Sequence, residues 1–175
     1  MVILRATQRV LRSLPQAGGE VAVSDNALGD WYVNHLVIDR RPLLLLVSCA
    51  SRLAIVTPAR DVKGLPDRLA QIVGARLQRL GASEDVIASE IEATTHVCVG
   101  KTVDRSVTGQ LVDFAKALPY YLPVNGWDEA TLISAEDKLA ETPCRSSRPF
   151  AEVIWPRQRA IELLNTAWPA SSTRH

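Results

Sequence analysis

The chain lacks most of the features that would assign it quickly. Its 175 residues hold three cysteines, Cys49, Cys98 and Cys144, an odd number at wide spacing with no CxxC pair. No His/Cys cluster has zinc-ligand spacing, so neither a disulfide framework nor a structural zinc site is expected. The thiols read as reduced and buried, as in a cytoplasmic protein. Lysine is scarce: only Lys63, Lys101, Lys116 and Lys138 stand among 20 basic residues, which 19 acidic residues balance to a net charge of +1. With no field of one sign and no basic stripe, nucleic acid is not an expected partner. The longest unbroken apolar run, Leu43 to Val47, falls far short of the ~20 residues that span a bilayer, so no membrane contact is expected. The opening segment is interrupted by Arg5, Arg9 and Arg12, unlike a secretory signal.

What remains has the balance of a folded domain, with 47% hydrophobic and 22% charged residues and no repeat. One domain over residues 1–168 is expected, followed by a flexible tail at 169–175. Val2 to Leu4 reads as a short strand and Thr7 to Leu14 as a helix, with Gln16 to Gly19 a turn and Val21 to Val23 an edge strand. Trp31 to Ile38, Leu43 to Cys49 and Leu53 to Thr57 are apolar runs of strand length joined by short polar turns, the pattern of an antiparallel meander. Leu65, Leu69, Ile72, Val73, Leu77 and Leu80 then recur at helical spacing up to Gly81, a natural stop. A second helix follows Ser83, a strand over Thr95 to Val99 joins the meander, and Asp104 caps a longer helix that weakens or ends at Pro119. Ser134 to Ala140 and Pro156 to Leu164 predict short helices. The expected fold is α+β: a mostly antiparallel sheet of four to five strands with helices packed on one face.

Two clusters could carry chemistry. In the first, Asp30, Trp31, Asn34 and His35 place polar and aromatic groups on what should be a core strand. His35 shares a face with Val33 and Val37, and reads either as a hydrogen-bonded histidine at the edge of the core or as a general base titrating near neutrality. After Asp39, Arg40 and Arg41 form a solvated turn or a paired contact for an anion, since the guanidinium fork matches carboxylates and phosphates. The second cluster, Lys101, Arg105 and Ser106, surrounds a helix start, where free backbone N–H groups attract anions. Gly100-Lys101-Thr102 matches the end of a phosphate-binding loop, but the upstream glycine would fall at Thr95, so that motif is absent. Asp104 at the helix start would repel an anion. No nucleophile elbow, metalloprotease pair or dinucleotide fingerprint occurs, so no catalytic residue, metal ligand or cofactor is assigned.

The run Leu28-Gly29-Asp30-Trp31-Tyr32-Val33-Asn34, then Ile38-Asp39-Arg40-Arg41, then Lys101-Thr102 with Arg105-Ser106-Val107-Thr108-Gly109, resembles a bacterial domain family without an assigned activity. Where the family pattern has Asn before the arginine and Leu before the glycine, this chain has Asp104 and Thr108. The resemblance implies a domain, and no reaction. Two functions stay open. One is a non-catalytic interaction or regulatory domain with a protein partner, which an exposed Trp127, Trp155 or Trp168 would support. The other is an enzyme or binder of an anionic small molecule, with Asp30, Asn34 and His35 converging on Lys101, Arg105 and Ser106.

Overall fold

Consecutive residues of a strand point to opposite faces, so the unbroken aliphatic run at Leu43 to Val47 requires a sheet covered on both sides. The computed structural model, which describes residues 1–15, 22–149 and 151–170, has that arrangement. Five strands, β1 (Val2–Ala6), β2 (Trp31–Ile38), β3 (Arg41–Ser48), β4 (Ala54–Pro58) and β5 (Val97–Lys101), form one sheet in the order β4-β3-β2-β1-β5. β2, β3 and β4 are the expected antiparallel meander, which makes up most of the ladder. β1 adds to β2 in parallel, and β5 adds in parallel to β1. The strand expected at Thr95 to Val99 therefore enters the sheet on the side away from the meander. The connection from β4 to β5 passes through α2 (Leu65–Leu80) and α3 (Glu84–Thr94), which carries the chain from one sheet edge to the other.

Helices lie on both faces, a correction to the expectation of one covered face. On the front, Val10 of α1 (Gln8–Leu11), Leu69 and Val73 of α2 and Val86 of α3 pack with Trp31, Val33, Leu44 and Leu46. Ala160 and Leu164 of α6 (Pro156–Ala167) join this layer. On the back, Val107, Leu111 and Phe114 of α4 (Arg105–Tyr121) and Leu132, Ala135 and Leu139 of α5 (Glu129–Ala140) cover Tyr32, Leu43, Leu45 and Val47. A two-strand hairpin, β6 (Cys144–Arg145) with β7 (Val153–Ile154), sits beside α4, and Ile154 and Cys144 belong to the back layer. Several helix boundaries differ from the sequence reading: α1 stops at Leu11 instead of Leu14, and α6 runs on to Ala167. α4 runs through Pro119 to Tyr121, since a proline so near the end breaks little of the ladder. α5 begins at Glu129 because Asp128 and Thr131 form a reciprocal capping box. The turn expected at 16–19, the start of the edge strand at 21–23 and the end of the tail at 171–175 lie outside the described residues; Ala22 and Val23 form no strand.

Charges buried in this framework close its open ends. β4 is an edge strand, and its outward groups are met by side chains: Val56 N–H donates to Glu136 Oε1 at 2.8 Å, and Arg76 Nε donates to the Ala54 carbonyl at 3.2 Å. Arg76 and Glu136 are both buried, and Arg79 donates to the second Glu136 oxygen at 2.7 Å. Burial pushes the Glu136 carboxyl above the usual carboxylate range, opposed by the charges of Arg76 and Arg79. On the front, buried Glu90 accepts from the backbone of Ala27 and Leu28, from Asn26 Nδ2 and from Trp168 Nε1. It thereby fixes the segment leading into β2. There Gly29, at φ +68°, leaves no room for a side chain, because a Cβ would lie 2.6 Å from Cys49 Sγ.

The β2–β3 turn has a defect that can be tested. Ile38 pairs with Arg41, so the loop is the two residues Asp39 and Arg40, both at positive φ (54° and 63°). Hairpins of this kind favour glycine at the second loop position, and Arg40 is exposed. Arg40→Gly should stabilise the fold by about 1 kcal/mol, raising the Tm by about 2–4 °C in a thermal melt. An unchanged or lower Tm would show that the turn is unstrained.

Candidate functional site

The alternation of β2 sends its polar residues to different faces. Trp31 and Val33 pack in the front layer and Tyr32 in the back layer, which puts His35 at the front and Asp30 and Asn34 at the back. Asp30 accepts from Arg5 Nε at 2.8 Å and from Ser24 Oγ at 2.6 Å. Arg5 reaches on to the Lys101 carbonyl at 3.4 Å. Asn34 Oδ1 accepts from Thr7 Oγ1 at 3.0 Å and from the His35 N–H at 2.9 Å. Thr7 thus ties its side chain to β2 instead of capping α1. His35 is half-buried, and its Nδ1 has no hydrogen-bond partner among the described residues, unlike the satisfied histidine the sequence suggested. Desolvation, with help from the Arg9 charge, holds its pKa below the ordinary imidazole value. Trp31 is sealed in the core.

The start of α4 is built around a residue that sequence reasoning passed over. Arg52 is 0% exposed and turns the chain between β3 and β4 at φ 63°. Its Nη2 donates to Ser106 Oγ at 3.0 Å and to Ser147 Oγ at 2.9 Å, its Nε to the Arg145 carbonyl at 3.2 Å, and its Nη1 to the Cys49 carbonyl. Ser147 Oγ in turn donates to Asp104 Oδ2 at 2.6 Å, while Asp104 Oδ1 caps α4 through the Ser106 N–H at 2.8 Å. Tyr32 Oη accepts from the Asp104 N–H at 3.2 Å. Burial alone would raise the Asp104 carboxyl; the bonds from Ser147, Ser106 and Val107 and the charge of Arg52 bring it below the usual range. Burial lowers the Arg52 guanidinium and raises the Tyr32 hydroxyl. Cys49 and Cys144 are pushed up to about 11, so both thiols are protonated and unreactive at neutral pH.

The two expected clusters meet only in part. Asp30 and Tyr32 reach the β5–α4 connection on the back face, whereas His35 faces the front, away from Ser106. Arg40 is exposed in its turn, and Arg41 stacks on Trp127 with its guanidinium 3.6 Å from the ring centre, also donating to the Trp127 carbonyl. Asp30, Asn34, Arg41 and Ser106 are therefore committed to bonds within the fold. Arg105 is not. It lines a groove of about 640 Å³ between α4 and the β6–β7 hairpin, with Gly109 and Phe114 along α4 and Arg145 opposite. Neither Arg105 nor Arg145 has an ion-pair partner among the described residues.

Val153 closes this groove and opens a second of about 260 Å³, which shares Trp155 with a third of about 480 Å³ along α6. Val153 and Trp155 are 56% and 47% exposed, neighbours on one face of the chain entering α6. The other tryptophans are spoken for: Trp127 Nε1 donates to the Ile38 carbonyl and Trp168 Nε1 to Glu90. The strand-like spacing of Val153 and Trp155 was readable in the sequence. Arg52 and Ser147 were not, because the side chains they bond lie more than forty residues away along the chain.

Residues 3–159 match the model of one protein family, Domain of unknown function (DUF6933). No curated protein matches the chain.

Asp104 makes the network sensitive to acid. Its folded pKa lies below the unfolded value, so its contribution is present in full above that value, about pH 4, and is lost as pH falls through the folded pKa. Asp104→Asn should lower stability at pH 7 and flatten the loss on acidification below about pH 4. Denaturant titrations from neutral to acid pH measure both; parallel wild-type and variant curves would remove Asp104 from the account.

Proposed function

The chain belongs to the DUF6933 family, and from that premise we propose that it is a non-catalytic interaction domain of the bacterial cytoplasm. A protein partner docks along the β6–β7 hairpin. The observation that carries this reading is the placement of Val153 and Trp155, two exposed apolar side chains set among three adjoining grooves. Tryptophan at the centre of a concave surface is the usual anchor of an interface, since it buries a large area at small entropic cost. The bound state of most expected site residues also favours binding over chemistry. A catalytic group must be free to exchange partners with a substrate, and Asp30, Asn34 and Ser106 each already hold a bond within the fold.

The lining of the groove also supports one kind of partner. Val153 and Trp155 offer apolar contact, while Arg105 and Arg145, which have no ion-pair partner among the described residues, line the α4 groove together with Asp113. A segment with apolar side chains followed by a carboxylate or phosphate fits this order. A second reading, an anionic small molecule at the α4 end alone, is favoured by the same two arginines. No helix among the described residues is long and apolar enough to cross a membrane.

The two readings separate on Trp155, whose exposure makes its replacement compatible with folding. The partner is first identified by affinity capture, and its binding is then measured with both proteins purified. Trp155→Ala should weaken that binding about tenfold or more, and Arg105→Ala should reduce mainly the association rate and its salt dependence. Binding of inorganic phosphate that is lost in Arg105→Ala and unchanged in Trp155→Ala would support the small-molecule reading. A protein complex indifferent to Trp155→Ala would overturn the docking face.

A further inference from the structure

The two edges of the sheet are treated differently. Along β4 the outward N–H of Val56 and carbonyl of Ala54 are taken by Glu136 and Arg76, so the edge is closed to another strand. β5 has no such guard. The Val2 N–H donates to the His96 carbonyl at 2.9 Å, which sets the phase of the β1–β5 ladder. Cys98 and Gly100 then face β1, and Val97 and Val99 direct their N–H and C=O groups outward. No side chain or backbone group among the described residues bonds to these outward groups of Val97 and Val99. Only the Lys101 carbonyl is engaged, by Arg5 Nη1 at 3.4 Å. The strand is half-exposed along its length, rich in β-branched residues, and carries one charge, at its end.

We propose that β5 is the pairing edge for a second copy of this chain, joined antiparallel across a two-fold axis at Val99, so that two five-stranded sheets become one. The charges at the ends of the strand favour a copy over an unrelated strand. α3, which leads into β5, has no lysine or arginine, and Glu92 lies in its last turn before Thr94. The other end carries Lys101, and α1, the helix that holds Arg9, contacts the strand. An antiparallel two-fold places each acidic end against the basic end of the other copy, and it does so twice. A parallel pairing would set like charges together, which the edge penalises. Val97 of each copy then lies opposite Lys101 of the other, with Val99 opposite Val99. No residue of β5 lines the grooves around Val153 and Trp155.

Sedimentation velocity over a concentration series up to about 100 μM tests this with the full chain. Wild type should pass from monomer to dimer. Val99→Pro removes an outward N–H without touching a β1–β5 bond, and should abolish the dimer while the thermal transition is kept. Because proline could disturb the strand, a charge exchange supplies the second measurement. Lys101→Glu and Glu92→Lys should each weaken dimerisation about tenfold, and the double exchange should restore it, an outcome that a folding defect would not give. A monomer throughout the series overturns the proposal. So does a dimer that neither Val99→Pro nor the charge variants alter.

Discussion

The fold depends on the burial of β3. Leu43 to Val47 are sealed from water on both faces, and a strand of that kind is stable only inside a sheet with a layer of helices on each side. From this follow the neighbours β2 and β4, the front layer that α2 supplies, and the back layer that α4 and α5 supply. It also follows that polar chemistry is driven to the margins: the ends of strands, the helix starts and the two edges. Every feature argued to be functional lies on such a margin.

The ionisable groups that are nevertheless buried act as clasps between distant parts of the chain. Arg52 holds together the β3–β4 turn, the start of α4 and the segment after β6. Arg76 and Glu136 join a front helix to a back helix around the β4 edge. Buried charges seldom add stability by themselves, because desolvation consumes much of their attraction. What they contribute here is register, since each can be satisfied in one arrangement only. An apolar substitute could pack as well, yet would leave the backbone groups of Ala54, Val56 and Cys49 without partners.

The meander and the amphipathic α2 were legible because local periodicity decides them. Helices on both faces were implied by the aliphatic run at Leu43 to Val47, where a half-exposed strand would have alternated. The side of the sheet taken by β5 was beyond local pattern, because it depends on the path of α2 and α3 across the front. The candidate site divides in the same way. Asp104 as a cap and Arg105 beside a helix start could be read from neighbours in the chain, and the exposed Trp155 was among the tryptophans singled out. Arg52 resembles any arginine in a turn until the fold brings Ser106 and Ser147 to it. His35 was placed correctly on its strand, but whether it met Ser106 turned on the parity of one residue.

The Glu90 clasp bears on where this folding unit ends. Its carboxylate is shared between the backbone just before β2 and the indole of Trp168, so the two remote stretches are latched through one side chain. The family match stops at residue 159, inside α6, before Leu164 and Trp168 have made their contacts. A boundary drawn from sequence likeness would therefore cut a helix in two and unfasten the entry to the central sheet.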